Sequence, residues 1–175
     1  MEIKELNDKE SLIEKYNSLD ENDNKILNNS YGVVIDTNTS VSRIEEVQEF
    51  CKKMGYKKIG IAFCKGLRKY GEELDKIFND DFEVYSVCCD VCGLTRDEIK
   101  VPKMTDNPEE LACNPFGEAQ VLNDAGVDFV IMVGFCLGHE QLFSKNVKAP
   151  TTTLIVKDRK FGHKSVDGFG EEKKR

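Results

Sequence analysis

The residues best equipped for chemistry in this sequence are its seven cysteines: Cys51, Cys64, Cys88, Cys89, Cys92, Cys113 and Cys136. Thiolates are soft ligands that select zinc, copper(I) and iron–sulfur clusters, and three or four of them complete a site. Ionised, they are also nucleophiles. Cys89-Asp90-Val91-Cys92 is a Cys-x-x-Cys pair able to clasp one metal from a tight turn, and Cys88 adds a neighbouring thiol. That spacing serves zinc, iron–sulfur and thiol–disulfide chemistry alike, and the sequence has no second such pair of the kind a zinc ribbon requires. Seven is an odd number, and Met1–Glu10 alternates charges where an export signal would be basic and then apolar. A cytoplasmic location is therefore expected, and in a reducing cytosol such cysteines are more often ligands or reactive thiols than disulfides.

Other residues could act with these thiols. His139 follows Cys136 by three residues and is a candidate nitrogen ligand or proton carrier. Cys113 precedes Asn114-Pro115 at an expected helix start, where the helix dipole favours a thiolate. Gly134-x-x-x-Gly138 is a glycine-rich loop whose amides could receive an anion, without the Lys-Ser/Thr ending of a P-loop or the spacing of a dinucleotide fingerprint. Asn114, Gly134, Gly138, Lys157, Asp158 and Arg159 are the candidate residues for a cofactor or anionic substrate. Asn114 serves equally as a helix cap, and the charges at 157–159 equally as a solvated strand end. His163 lies in a glycine-rich segment and has weaker claims.

Hydrophobic patterning supplies the elements that must position these groups. Ile3, Leu6, Ile13 and Tyr16 share one helical face, predicting an amphipathic helix before a loop at Asp20–Asn24. Tyr31–Asp36 reads as a short strand or an extended lead-in. A helix capped by Thr39 or Ser40 should run to Met54 and stop at Gly55, with Cys51 packed on its apolar face. Strands are expected over Lys58–Phe63, Phe82–Val87, Phe129–Val133 and Thr151–Val156, and helices over Leu67–Phe78, Pro115–Ala125 and Gly138–Lys145. An irregular stretch, 88–112, carries Pro102 and Pro108.

This alternation predicts an α/β fold: a mostly parallel sheet of about four to five strands with helices on both faces, a Rossmann-like or flavodoxin-like three-layer arrangement. The domain reading is a polar helical appendage over residues 1–30, a single cysteine-rich α/β domain over 31–163 and a loose charged tail over 164–175. In a parallel sheet all strands open at their carboxyl ends onto one edge, where ligands bind. Cys64, Cys88, Cys89, Cys92 and Cys136 follow strands and Cys113 opens a helix, so six of the seven cysteines converge on that edge whatever the strand order.

Composition narrows the function classes. With 25 basic against 32 acidic residues the net charge is −7 and the pI about 5.0, which speaks against binding nucleic acid or anionic membrane through a basic footprint. The longest apolar run, Phe129–Leu137, is too short to span a bilayer. Strand order and oligomeric state are left open.

Taken together, Phe63-Cys64-x-Gly66-Leu67, Val87-Cys88-Cys89, Cys113-Asn114-Pro115, Gly134-x-Cys136-x-Gly138-His139, Lys148-Ala149-Pro150 and Val156-Lys157-Asp158-Arg159 closely resemble an uncharacterised bacterial and archaeal family, the "domain of unknown function 1847" proteins. The resemblance covers roughly residues 31–163 and includes Ser42-Arg43-Ile44-Glu45-Glu46. It implies metal binding, with no established reaction. Family members commonly carry a further cysteine-rich segment, the source of a zinc-finger-like description; residues 1–30 here contain no cysteine. Glu118 stands where the family tends to have Gln, and Lys164-Ser165 where it tends to have Asn-Pro.

The leading expectation is a protein holding a metal ion, zinc or an iron–sulfur centre with Cys64, Cys88, Cys89, Cys113 and Cys136, and with Cys92 and His139 as secondary ligands. The partners expected are the metal or cluster and a small-molecule substrate of open identity. An alternative is a metal-free thiol enzyme with Cys113 or Cys136 as nucleophile and His139 as base. A third is a binder that delivers metal or senses redox state through Cys88, Cys89 and Cys92.

Overall fold

Lys58-Ile59-Gly60-Ile61-Ala62-Phe63 is a short apolar run, and burial on both faces makes it a central strand. A computed structural model describes residues 8–169, which divide after Gly55 into two compact units.

The first unit is helical. Asp8 caps α1 (Lys9–Asn17) and Asp20 caps α2 (Glu21–Thr37), each through its carboxylate. Ile13 and Tyr16 are exposed on α1, and Ile3 and Leu6 lie outside the described residues. The expected strand at Tyr31–Asp36 is instead the C-terminal part of α2. The β-branched run Val33-Val34-Ile35 belongs to a capped helix of 17 residues, whose continuity overrides the local β preference. The expected loop at Asp20–Asn24 is the cap and first turn of that helix. α3 (Arg43–Met54) starts later than expected, because Ser42 and Glu45 form a reciprocal capping box. It ends at Gly55 in the left-handed conformation (φ 76°), with Cys51 fully buried on its inner face.

The second unit is the α/β body. β1 (Lys58–Phe63), β2 (Glu83–Cys88), β3 (Phe129–Val133) and β4 (Thr151–Ile155) form an all-parallel sheet in the order β2-β1-β3-β4. α4 (Arg68–Phe78), α5 (Pro115–Ala125) and α6 (Leu137–Asn146) connect them. Strand alternation sorts the two faces. Gly60 looks toward Leu122 of α5, and Ala62, Val87, Val130 and Met132 pack with Ala119, Leu122 and Phe143 of α5 and α6. Phe63 points the other way, against Gly71 of α4, where any Cβ would strike the ring. Helices thus cover both faces, as expected.

The strand order creates the crevice. After β1 the chain turns to α4 on one face; after β3, its neighbour, it turns to α6 on the other. Loops that part in this way leave a gap at the carboxyl ends of the two strands. Two amide hydrogen bonds from Lys57 and Lys58 to Asp128 tie the opposite ends of β1 and β3 together. Among the described residues no helix is long and apolar enough to cross a membrane.

Candidate functional site

Register brings the first thiols level. Phe63 of β1 pairs with Cys88 of β2 and with Val133 of β3, so the three strands end at one height. The ladder continues one residue further, with the Cys64 amide donating to Val133 O and the Cys89 amide to Phe63 O, both at 3.0 Å. Paired residues in a parallel sheet share a face, so Cys88 lies on the α4 side with Phe63, and Cys64 and Cys89 lie on the α5 and α6 side.

Cys113 reaches the same place by a long excursion. The chain leaves at Cys89 and returns through a closed stem: an antiparallel bridge of Thr95 with Leu111, Arg96 N donating to Glu110 O, and Ala112 N donating to Leu94 O. Asn114 N then donates to Cys89 O at 2.7 Å, which sets Cys113 beside Cys89. Asn114 also caps α5, its Oδ1 accepting from Gly117 N at 2.8 Å while its Nδ2 donates to Val91 O at 3.2 Å. Cys136 is the N-cap residue of α6, and His139 follows in the first turn.

Cys64, Cys89, Cys113 and Cys136 line one cavity of about 10 Å3 with Glu118, Phe135 and His139. That is about the room of one water molecule or ion. The sulfurs within it are linked in a sense. Lys157 Nζ donates to Cys64 Sγ, and the titration of Cys89 is tied to that of Cys64 on one side and Cys113 on the other. The amide of Lys65 also donates to Cys89 Sγ, at 3.3 Å. Donating to a neighbouring sulfur and burial push Cys64 up to about 12, and donating to Cys113 pushes Cys89 up to about 12. Cys113, the acceptor at the end of the chain, has its pKa lowered by the Cys89 thiol, with help from the charge of Lys157. Burial opposes the charge on Lys157, but its bond to Cys64 and the sulfur charges of Cys64 and Cys136 outweigh that and raise its pKa. Arg159 Nη2 donates to Cys136 Sγ at 3.6 Å. Burial first, and then the charges of Lys157 and Arg96, lower the pKa of His139, so its imidazole is neutral at pH 7.

Glu118 is not among the candidate site residues of the sequence, where it stands out only as a departure from the Gln of the family it resembles. It is 1% exposed, both carboxyl oxygens lack a hydrogen-bond partner, and burial, with the charges of Cys64 and Asp90, raises its pKa to about 9. A usable signal was present: Pro115, Glu118, Ala119 and Leu122 fall at i, i+3, i+4 and i+7, which places an acid inside a buried helical stripe.

The remaining candidates lie elsewhere. Cys88 accepts from Arg68 at 3.5 Å outside the cavity, and its pKa is raised by burial and Asp90. Cys92 is exposed with φ 68°, so the cavity does not draw on the Cys-x-x-Cys pair as a unit. Asp158 Oδ1 accepts from the amides of Lys160 and Phe161, and His163 closes the same loop by exchanging hydrogen bonds with the Asp158 backbone. Gly134 (φ 67°) packs under Leu67, where a Cβ would lie 2.6 Å from a methyl, and Gly138 faces open space. Among the described residues no group of three or more His, Cys, Asp and Glu side chains is arranged to hold a metal ion as it stands.

No solved structure matches the chain. An uncharacterised protein of the archaeon Methanocaldococcus jannaschii is 54% identical over 125 residues, which are 71% of this chain and 65% of that relative. The chain thus spans just under two thirds of the relative's length. Neither this relative's description nor that of the matching family names a ligand or a reaction. The family model, "Protein of unknown function (DUF1847)", matches residues 2–154, and the chain belongs to that family.

Proposed function

We propose that the protein holds a single thiophilic metal ion, with zinc the best-fitting case, drawing its ligands from the cavity lined by Cys64, Cys89, Cys113 and Cys136. The observation that carries this reading is the meeting of four thiols, from the ends of three strands and the start of a helix, around one ion-sized cavity. Tetrahedral zinc ligands bound at about 2.3 Å stand roughly 3.8 Å apart, a spacing the thiols must close around the cavity to reach. Rotation of the thiols about their Cα–Cβ bonds completes the approach. Charge supports the same reading: four anionic ligands around a divalent ion leave −2, and Lys157 and Arg159, bonded to Cys64 and Cys136, supply two positive charges. A bound zinc ion serves as a structural clamp when its four positions are closed, or as a Lewis acid when one is open to substrate.

The test is anaerobic purification with reductant, followed by metal analysis and titration of metal-free protein with Co2+. Expected are one ion per chain, intense thiolate-to-cobalt absorption, and loss of both in Cys64→Ser and Cys113→Ser but not in Cys88→Ser or Cys92→Ser. Protein that takes up no stoichiometric metal, or a site abolished only by Cys88→Ser or Cys92→Ser, overturns it.

One observation favours a second reading, thiol catalysis: the sulfur chain lowers the pKa of Cys113 alone among its three members, with neutral His139 lining the same cavity. There Cys113 is the nucleophile and His139 the proton acceptor. Metal-free protein that turns over a small electrophilic substrate, and loses turnover on modification of Cys113, would establish it.

A further inference from the structure

Glu118 occupies an unusual position for a carboxyl group. It lies in the first turns of α5, on the stripe that packs toward the sheet, between Pro115 and Leu122. Every other buried residue of that stripe is apolar. The side chain lines the thiol cavity, is 1% exposed, and neither oxygen has a hydrogen-bond partner. Buried polar groups are ordinarily satisfied, so an acid kept in such a place is short of a ligand.

We propose that Glu118 supplies an oxygen ligand to the ion, making the centre a mixed sulfur–oxygen site and not an all-sulfur one. This rests on the metal-binding reading above. The arrangement gives the otherwise unpartnered carboxyl group a cation, and gives the ion a harder donor than the thiols. A carboxylate oxygen is a harder donor than sulfur. Its presence moves selectivity away from copper(I), which thiolates alone suit well, toward borderline divalent ions such as Zn2+ and Fe2+. It also explains how a cavity with four sulfurs can serve an ion that needs fewer of them, since one thiol is then spare for exchange or chemistry.

The experiment is X-ray absorption of the zinc-loaded full chain, compared among the wild type, Glu118→Leu, Glu118→Gln and His139→Phe. The expected wild-type shell contains sulfur at about 2.3 Å and one light atom at about 2.0–2.2 Å. That light atom should vanish in Glu118→Leu and persist in His139→Phe, which separates carboxylate oxygen from imidazole nitrogen. Zinc affinity, measured by chelator competition, should fall at least about tenfold in Glu118→Leu while copper(I) affinity holds. Glu118→Gln keeps size and polarity, so it controls for any folding defect of the leucine variant, and it should bind zinc more weakly than wild type. Wild-type protein that binds no zinc overturns both this inference and the reading beneath it. Zinc bound in a shell identical in wild type and Glu118→Leu overturns this inference alone.

Discussion

Lys157, just beyond β4, donates a hydrogen bond to the sulfur of Cys64, just beyond β1, reaching past the end of β3, which lies between those strands. This contact starts the chain of donors that ends at Cys113. Lys157→Met should therefore raise the pKa of Cys113 by removing a positive charge. Iodoacetamide labelling of metal-free protein at pH 7 should then be severalfold slower at Cys113. An unchanged rate would detach Lys157 from the sulfur chain.

Within the wild-type protein the order of ionisation is also open to measurement. In reduced, metal-free Cys92→Ser protein, peptide mapping should find Cys113 alkylated well before Cys64 and Cys89, whose thiols ionise only near 12. Cys51, fully buried in α3, should react only on unfolding. Equal labelling of Cys64 and Cys113 at neutral pH contradicts the assigned direction of the hydrogen bonds.

Glu118 ties stability to pH in the metal-free chain. Its folded pKa, about 9, lies above the ordinary 4.5, so between those values the folded chain keeps a proton that the unfolded chain has released. Stability contributed by the neutral acid is full below 4.5 and is lost progressively as pH rises toward 9. Glu118→Gln cannot ionise, and urea denaturation should find it more stable than wild type by about 3 kcal/mol at pH 7. The two proteins should converge near pH 4.5. A difference that stays constant with pH would falsify this account.

Asn114 holds the Cys113 backbone by using both ends of its amide, on Gly117 N and Val91 O. Asn114→Ala should lower unfolding free energy by about 1–2 kcal/mol. The variant should also bind Co2+ more weakly, because the turn that sets Cys113 beside Cys89 loosens. Wild-type stability together with wild-type cobalt affinity would show that the cap is dispensable.

Much of the α/β body was legible because its punctuation is chemical. Asn114-Pro115 and Gly126 bracket α5, and β1 and β3 are short apolar runs with the expected ends. The convergence of thiols followed from the common carboxyl edge of a parallel sheet. That Cys88 and Cys89 point to opposite sides followed from strand alternation, but which of them enters the cavity did not, because it depends on which face Phe63 takes, and that is set by α4 packing. Val33-Val34-Ile35 misled because β-branched residues are tolerated in a long capped helix. Thr39 and Ser40 drew attention from Ser42, whose partner Glu45 three residues on was the better cap signal. Glu118 was missed because an acid near a helix start ordinarily serves the dipole and faces water.

The stem that returns the chain from Cys89 to Cys113 closes at the Thr95–Leu111 bridge, so the backbone beyond it does not set the spacing of the two sulfurs, although the charge of Arg96 still reaches His139 in the cavity. Length and composition can drift in that outer part while the spacing of the two thiols stays constant. It is thus the natural port through which descendants of one ancestral scaffold could acquire different neighbours, or through which a reporter peptide could be spliced, without re-engraving the interior.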